Sequence, residues 1–245
     1  GPGAITVSPG DVVTYRFTAV LPNSDVEELK FTDYLPLPVF SAGEVVSLDN
    51  VHSSTAPAAG HAHFHSNDTF SGSGGVSGIV PTLTTVASGG ENRLEFAYGD
   101  YDDPANSTTK IDILFSVTVG SEPFADGLFL TNQIRQQDSS SFKTGTTGDA
   151  INQIVLSEPI LNMTKGVIAT DHATGTFTDP VAPTSVTAPG STGFRFGGTL
   201  NSTNLDSTPI DANLTNVDAG DLVTFAIVVE NTGTSRKGAF DIEIR

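Results

Sequence analysis

Three histidines at alternate positions, His61-x-His63-x-His65, are the first residues here whose type and spacing suggest chemistry. If the segment is extended, the three imidazoles share one face. Neutral imidazole is a ligand for Zn, Cu or Ni. Same-face neighbours on a strand lie about 6.5–7 Å apart, too far for three to meet one ion without a bend. The competing reading is a solvated loop. A second candidate is the acidic turn Asp100-Tyr101-Asp102-Asp103-Pro104-x-Asn106. Clustered carboxylates at the end of a β-sandwich suit calcium, a hard cation that takes oxygen ligands. The turn lacks the glycine and terminal glutamate of an EF-hand loop, so ordinary turn-forming aspartate competes with the metal reading. A looser acidic stretch, Asp206, Asp211, Asn213, Asn216 and Asp218, carries the same two readings.

Catalytic signatures are missing. The chain has no Gly-x-Ser-x-Gly elbow, zinc-protease helix or phosphate loop. A glycosidase pair needs two suitably spaced carboxylates. With no Trp and four Tyr, a sugar-stacking cleft would be poorly furnished. The expectation is therefore that the protein is not an enzyme. Asn67, Asn106, Asn162, Asn201 and Asn213 stand in Asn-x-Ser/Thr sequons, which a chain this rich in Ser and Thr produces by chance.

The elements that must position these residues are strands. Val12–Val20, Leu29–Tyr34, Leu94–Tyr98, Ile111–Val119, Leu128–Ile134, Ile151–Leu156 and Val223–Val229 are short runs rich in β-branched and aromatic residues. Ile111, Ile113, Phe115, Val117 and Val119 alternate with Asp112, Ser116 and Thr118, and Leu114 is the apolar exception on the polar side. Such alternation marks half-buried antiparallel strands. With 25 Gly and 14 Pro as punctuation, the fold class is all-β.

One motif occurs twice. Gly10-Asp11-x-Val13-Thr14-Tyr15-x-Phe17 returns as Gly220-Asp221-x-Val223-Thr224-Phe225-x-Ile227. The first copy continues into alternating Leu29 and Phe31, then Asp33-x-Leu35-Pro36; the second runs through Phe240, Ile242 and Ile244 and stops at Arg245. The expectation is tandem immunoglobulin-like antiparallel sandwiches with long loop insertions. One spans residues 4–158, its alternating strands putting Tyr15, Phe17, Phe31, Ile113, Phe115, Val117 and Leu130 in its core, with an insertion at about 41–90 in which Ser71–Gly78 reads as a mobile tip. A second, incomplete one spans 159–245 with an insertion at about 170–218. The junction falls at Ser157-Glu158-Pro159, where proline ends the preceding strand.

Composition sets further bounds. No cysteine is present, so disulfides cannot stabilise the chain if it is exported. A net charge of −17, from 28 acidic and 11 basic residues, argues against nucleic acid as a partner. No apolar run is long enough for a membrane-spanning helix. The opening Gly1-Pro2-Gly3 reads as a protease scar.

Gly-Asp-x-Val-Thr-Tyr, then Thr32-Asp33-x-Leu35-Pro36, Leu130-Thr131-Asn132 and Glu158-Pro159-x-Leu161-x-Met163-Thr164-Lys165 together resemble the recurring β-sandwich repeat of large bacterial surface proteins and adhesins. They are similar to the isopeptide-forming domains of fimbrial backbone proteins. That resemblance implies a lysine on an opening strand, a later asparagine and a buried acid. Lys165, Asn132 and Asp33 occupy those positions, but Lys165 opens the second repeat whereas Asp33 and Asn132 belong to the first. No complete trio therefore lies within one repeat. The resemblance also implies a structural or adhesive segment of an extracellular, cell-surface protein. Its partners would be neighbouring repeats or chains of the same protein, and host or matrix glycan or protein. The alternative is a loop-borne glycan- or protein-binding module, with calcium as the candidate cofactor.

Overall fold

The structure is a computed structural model that describes residues 4–103, 108–122, 125–140, 143–178, 213–231, 233–235 and 243. Asn106, Asn201, Asp206, Asp211, Phe240, Ile242 and Ile244 lie outside the described residues. The chain divides into two compact units. The first comprises Gly1–Glu158 with Ser235–Lys237, the second Pro159–Thr234 with Gly238–Arg245.

The first unit is built of β1 (Ile5–Val7), β2 (Val12–Leu21), β3 (Val26–Tyr34), β4 (Ser47–His52), β5 (His61–Phe64), β6 (Thr82–Val86), β7 (Arg93–Tyr101), β8 (Thr109–Thr118), β9 (Phe129–Ser140) and β10 (Lys143–Leu156). A short 3-10 turn covers Ala42–Glu44, and the described residues contain no α-helix. One sheet has the order β1-β10-β9-β3-β7-β6, the other β2-β8-β5-β4. Apart from the parallel pairs β1–β10 and β4–β5, neighbours run antiparallel.

Period-2 alternation turns Tyr15, Phe17 and Leu21 of β2 inward to meet Leu29 and Phe31 of β3 and Phe96 of β7. Phe17 packs 5.2 Å from Phe31 and 5.4 Å from Phe96 between ring centres, and Tyr15 stacks 5.3 Å from Phe115. The Phe17 contacts join the two sheets, whereas Tyr15 and Phe115 stack within one, and each ring buries a large apolar area. Tyr15, Phe17, Phe31, Ile113, Phe115, Val117 and Leu130, the core read from the alternation, are all buried.

The stretch from Ser41 to Gly90 does more than interrupt the strands. It supplies β4 and β5 to one sheet and β6 to the other. Its Phe64 and Phe70 are fully buried, and Phe70 meets Tyr101 edge-on at 4.6 Å. Ser71, read in the sequence as the start of a mobile tip, is buried with its hydroxyl 2.8 Å from that of Tyr98.

β8 departs from the half-buried expectation, because both of its faces are covered. Asp112, Leu114 and Ser116 on the polar side are buried along with Ile113 and Phe115. Asp112 accepts from Arg16 Nε at 2.8 Å and Arg16 Nη2 at 2.7 Å, and lies 2.7 Å from Lys110 Nζ. Its backbone N–H donates to Asp68 Oδ2 at 2.9 Å, and its carbonyl accepts from His65 N at 2.8 Å. Burial pushes the Asp112 carboxyl up, but Arg16 and Lys110 outweigh it and hold it below the usual range. A charged residue thus ties the 41–90 stretch to the sheet.

The second unit contains β11 (Leu161–Thr170), β12 (Thr176–Thr178), β13 (Asn213–Thr215) and β14 (Val223–Asn231), paired as two antiparallel ribbons, β11–β14 and β12–β13. The two Gly-Asp turns have the same geometry. Gly10 and Gly220 adopt φ of 77° and 105°, which favours glycine. Ser8 N donates to Asp11 Oδ2 at 2.8 Å, and Asp218 N to Asp221 Oδ2 at 2.5 Å.

Phe115→Ala should destabilise the chain by about 3–5 kcal/mol in urea unfolding. Val12→Ala, on the exposed side of β2, should stay within about 0.5 kcal/mol. Asp112→Ala should cost about 2–3 kcal/mol, less than a fully buried pair because Arg16 and Lys110 remain partly solvated. The Asp112 contribution is present above the ordinary carboxylate range and is lost as pH falls through its lowered value. The variant should therefore lose its deficit in acid.

Candidate functional site

Inward positions on β3 read Leu29, Phe31, Asp33, so an acid continues an apolar series. On the adjacent strand β9, Leu130 and Asn132 are buried in the same way. The β3–β9 register sets Asp33 opposite Ile134 and Tyr34 opposite Gln133, which makes Asn132 a diagonal neighbour of Asp33. Asn132 Nδ2 donates to Asp33 Oδ1 at 2.6 Å. Asp33 is 2% exposed, and no ion pair reaches it among the described residues.

Burial pushes the Asp33 carboxyl up to about 7, with the Asn132 hydrogen bond as the smaller, opposing effect. Near neutral pH this group can hold or release a proton. The pair faces a cleft of about 600 Å³ between β2 and the β9–β10 part of the other sheet, lined among others by Tyr15, Phe17, Asp33, Asn132 and Ile134. The Tyr15 hydroxyl is buried without a hydrogen-bond partner. Burial and the nearby Asp33 charge both raise its pKa.

A buried acid beside a primary amide at the wall of a cleft can polarise the amide for attack at its carbonyl carbon. Sequence reasoning placed Tyr15 only in the core; its alternation gave no sign that its hydroxyl lacks a partner.

The structure brings Asp33 and Asn132 together. Lys165 lies in the second unit on β11, exposed, with its ammonium 5.1 Å from the centre of the Phe225 ring.

The histidines do not converge. His61 Nδ1 is 2.8 Å from Ser47 Oγ, and His63 places its ring nitrogens 2.9 Å from the carbonyl oxygens of Phe64 and Thr55. His65 Nδ1 accepts from Asn67 N at 3.0 Å. In the acidic turn, Asp100 Oδ1 accepts from Glu28 N at 2.8 Å and Asp103 N donates to Asp25 Oδ1 at 2.9 Å, while Asp102 is exposed. Among the described residues, no group of three or more His, Asp or Glu is arranged to hold a metal ion.

No protein-family model matches the chain, and no curated protein matches it. Among solved structures, the chain is similar to the crystal structure of BcpA, the major pilin subunit of Bacillus cereus, at 10% identity and a TM-score of 0.43. The match covers 94% of this chain and 55% of that one, so the chain spans little more than half the length of that structure.

Asp33 has its folded-state pKa above the ordinary 3.8. The folded chain therefore binds the extra proton between about pH 4 and 7, and stability falls as pH rises through that window. Asp33→Asn keeps an oxygen for Asn132 and removes the buried charge. It should flatten the profile between pH 4 and 7 and raise stability at pH 8 by roughly 2–4 kcal/mol, read by urea unfolding across pH.

Proposed function

We propose that this chain is a structural and adhesive segment of a long extracellular bacterial surface protein. In this reading, tandem immunoglobulin-like sandwiches present loops on rigid sheets, and Asp33 with Asn132 forms the acceptor half of an isopeptide crosslink. The observation that carries the reading is the buried hydrogen bond from Asn132 to Asp33 at the wall of an open cleft. The matching Gly-Asp turns support repetition of one unit. The lack of cysteine leaves a place for another covalent stabiliser.

The chemistry is a single condensation without turnover. A neutral lysine amine attacks Cγ of Asn132, a C–N bond forms and the Cγ–Nδ2 bond breaks. Asp33 accepts a proton from the attacking nitrogen and returns one to the leaving nitrogen, which departs as ammonia. Asp33 is unchanged at the end, and no oxidant or reductant enters.

The test uses the full chain carrying Lys165→Ala, so that no amine competes from that position. Incubated at pH 7 with an extended, lysine-bearing peptide of alternating apolar sequence, it should gain the peptide mass less about 17 Da, mapped to Asn132. Asn132→Ala or Asp33→Ala, checked for folding by thermal melting, should abolish the gain. An unchanged mass in the folded Lys165→Ala chain would contradict the reading.

A further inference from the structure

The next step rests on Asp33 and Asn132 being an acceptor pair, and concerns where the amine comes from. By the spacing of the repeated motif, Tyr15 and Phe17 of β2 correspond to Phe225 and Ile227 of β14. In the second unit β14 pairs antiparallel with β11, with Lys165 opposite Ile227 and Val167 opposite Phe225. Directly opposed residues of an antiparallel pair project from the same face. Leu161, Met163, Lys165 and Val167 therefore share a face with Phe225 and Ile227. That face is apolar and open: Met163 is 63% and Phe225 55% exposed.

In the first unit, β2 has one partner among the described residues, β8. The cleft runs along β2, since Tyr15, Arg16, Phe17, Thr18 and Ala19 line one wall and Asp33 and Asn132 face them. Transferring the β11–β14 register onto the edge of β2 that no described strand covers sets Lys165 opposite Phe17, Val167 opposite Tyr15 and Met163 opposite Ala19. The lysine then projects on the face of Tyr15 and Phe17, into the cleft. Its amine, which lies over Phe225 in its own unit, would lie near the equivalent ring, Tyr15. That ring carries the hydroxyl without a partner.

We infer that the β2 cleft receives β11 of a second copy of this chain, and that Lys165 of one copy becomes joined to Asn132 of the next. The exchange trades β14 for its equivalent, β2, so backbone pairing is replaced in kind. Exposed Leu161 and Met163 gain cover, which favours the exchange. Donor strand and acceptor cleft are different surfaces, so the contact is heterologous and copies add head to tail. The bond forms between Lys165 Nζ and Asn132 Cγ, and ammonia carries away Nδ2 with one amine proton.

The experiment uses the full chain at high concentration and pH 7, read by denaturing gel and intact mass. Wild type should give a covalent ladder that loses about 17 Da per joint. Lys165→Ala keeps the acceptor and Asn132→Ala keeps the donor, so each alone should stay monomeric. Mixed, they should give one covalent dimer at the summed mass less about 17 Da, with Lys165 and Asn132 joined in its digest. A wild-type monomer that loses ammonia would place the amine in the same chain and overturn the second-copy assignment. A mixture that stays monomeric while a synthetic peptide of residues 159–170 labels the Lys165→Ala chain would also overturn it, and would leave the acceptor pair standing. If neither copy nor peptide joins, both readings fall.

Discussion

A carboxyl group held between two sheets, with no cation paired to it among the described residues, is the constraint that the surrounding structure has to satisfy. Leu29 and Phe31 continue into Asp33 on the inward face of β3, so the same alternation that builds the core carries an acid into it. Isolated burial of a charge is costly, and such a group responds by holding its proton or by finding a donor. Asp33 has a donor, Asn132, and a carboxyl pushed up to about 7. Phe17, which clamps the sheets through Phe31 and Phe96, lines the same cleft together with Phe31. The stability of the sandwich and the chemistry proposed for the cleft thus share residues, and the acid is the point where they conflict.

The first unit handles its other buried acid in the opposite way. Asp112 is surrounded by Arg16 and Lys110 and bonded through its backbone to Asp68 and His65. Its charge is compensated, and it fastens a long segment to the outside of a sheet. Asp33 has no such compensation among the described residues. That contrast supports the proposal that Asp33 moves a proton while Asp112 is structural.

Much of the fold was legible because alternation is a local signal. The seven core residues named from periodicity are buried, and the strand runs fall on β2, β3, β7, β8, β9, β10 and β14. The stretch from 41 to 90 was not legible. Its Gly, Ser, Thr and His content reads as loop, whereas Phe64 and Phe70 reach the core and short strands complete both sheets. Asp112 and Ser116 were assigned to solvent because a strand cannot announce what will cover its polar face. At the site, Asp33 and Asn132 were named from resemblance, but their contact depends on the β3–β9 register, which pairs residues far apart in the chain. The unpartnered Tyr15 hydroxyl had no sequence signal, because an inward tyrosine in an apolar series looks like any core ring.

The most direct measurement is the titration of Asp33 itself, followed through its carboxyl carbon by NMR on the full chain between pH 4 and 9. The expected midpoint lies near 7, with the Asn132 side-chain amide protons shifting over the same range. A midpoint in the ordinary carboxylate range, near 4, with the Asn132 amide unresponsive, would contradict it.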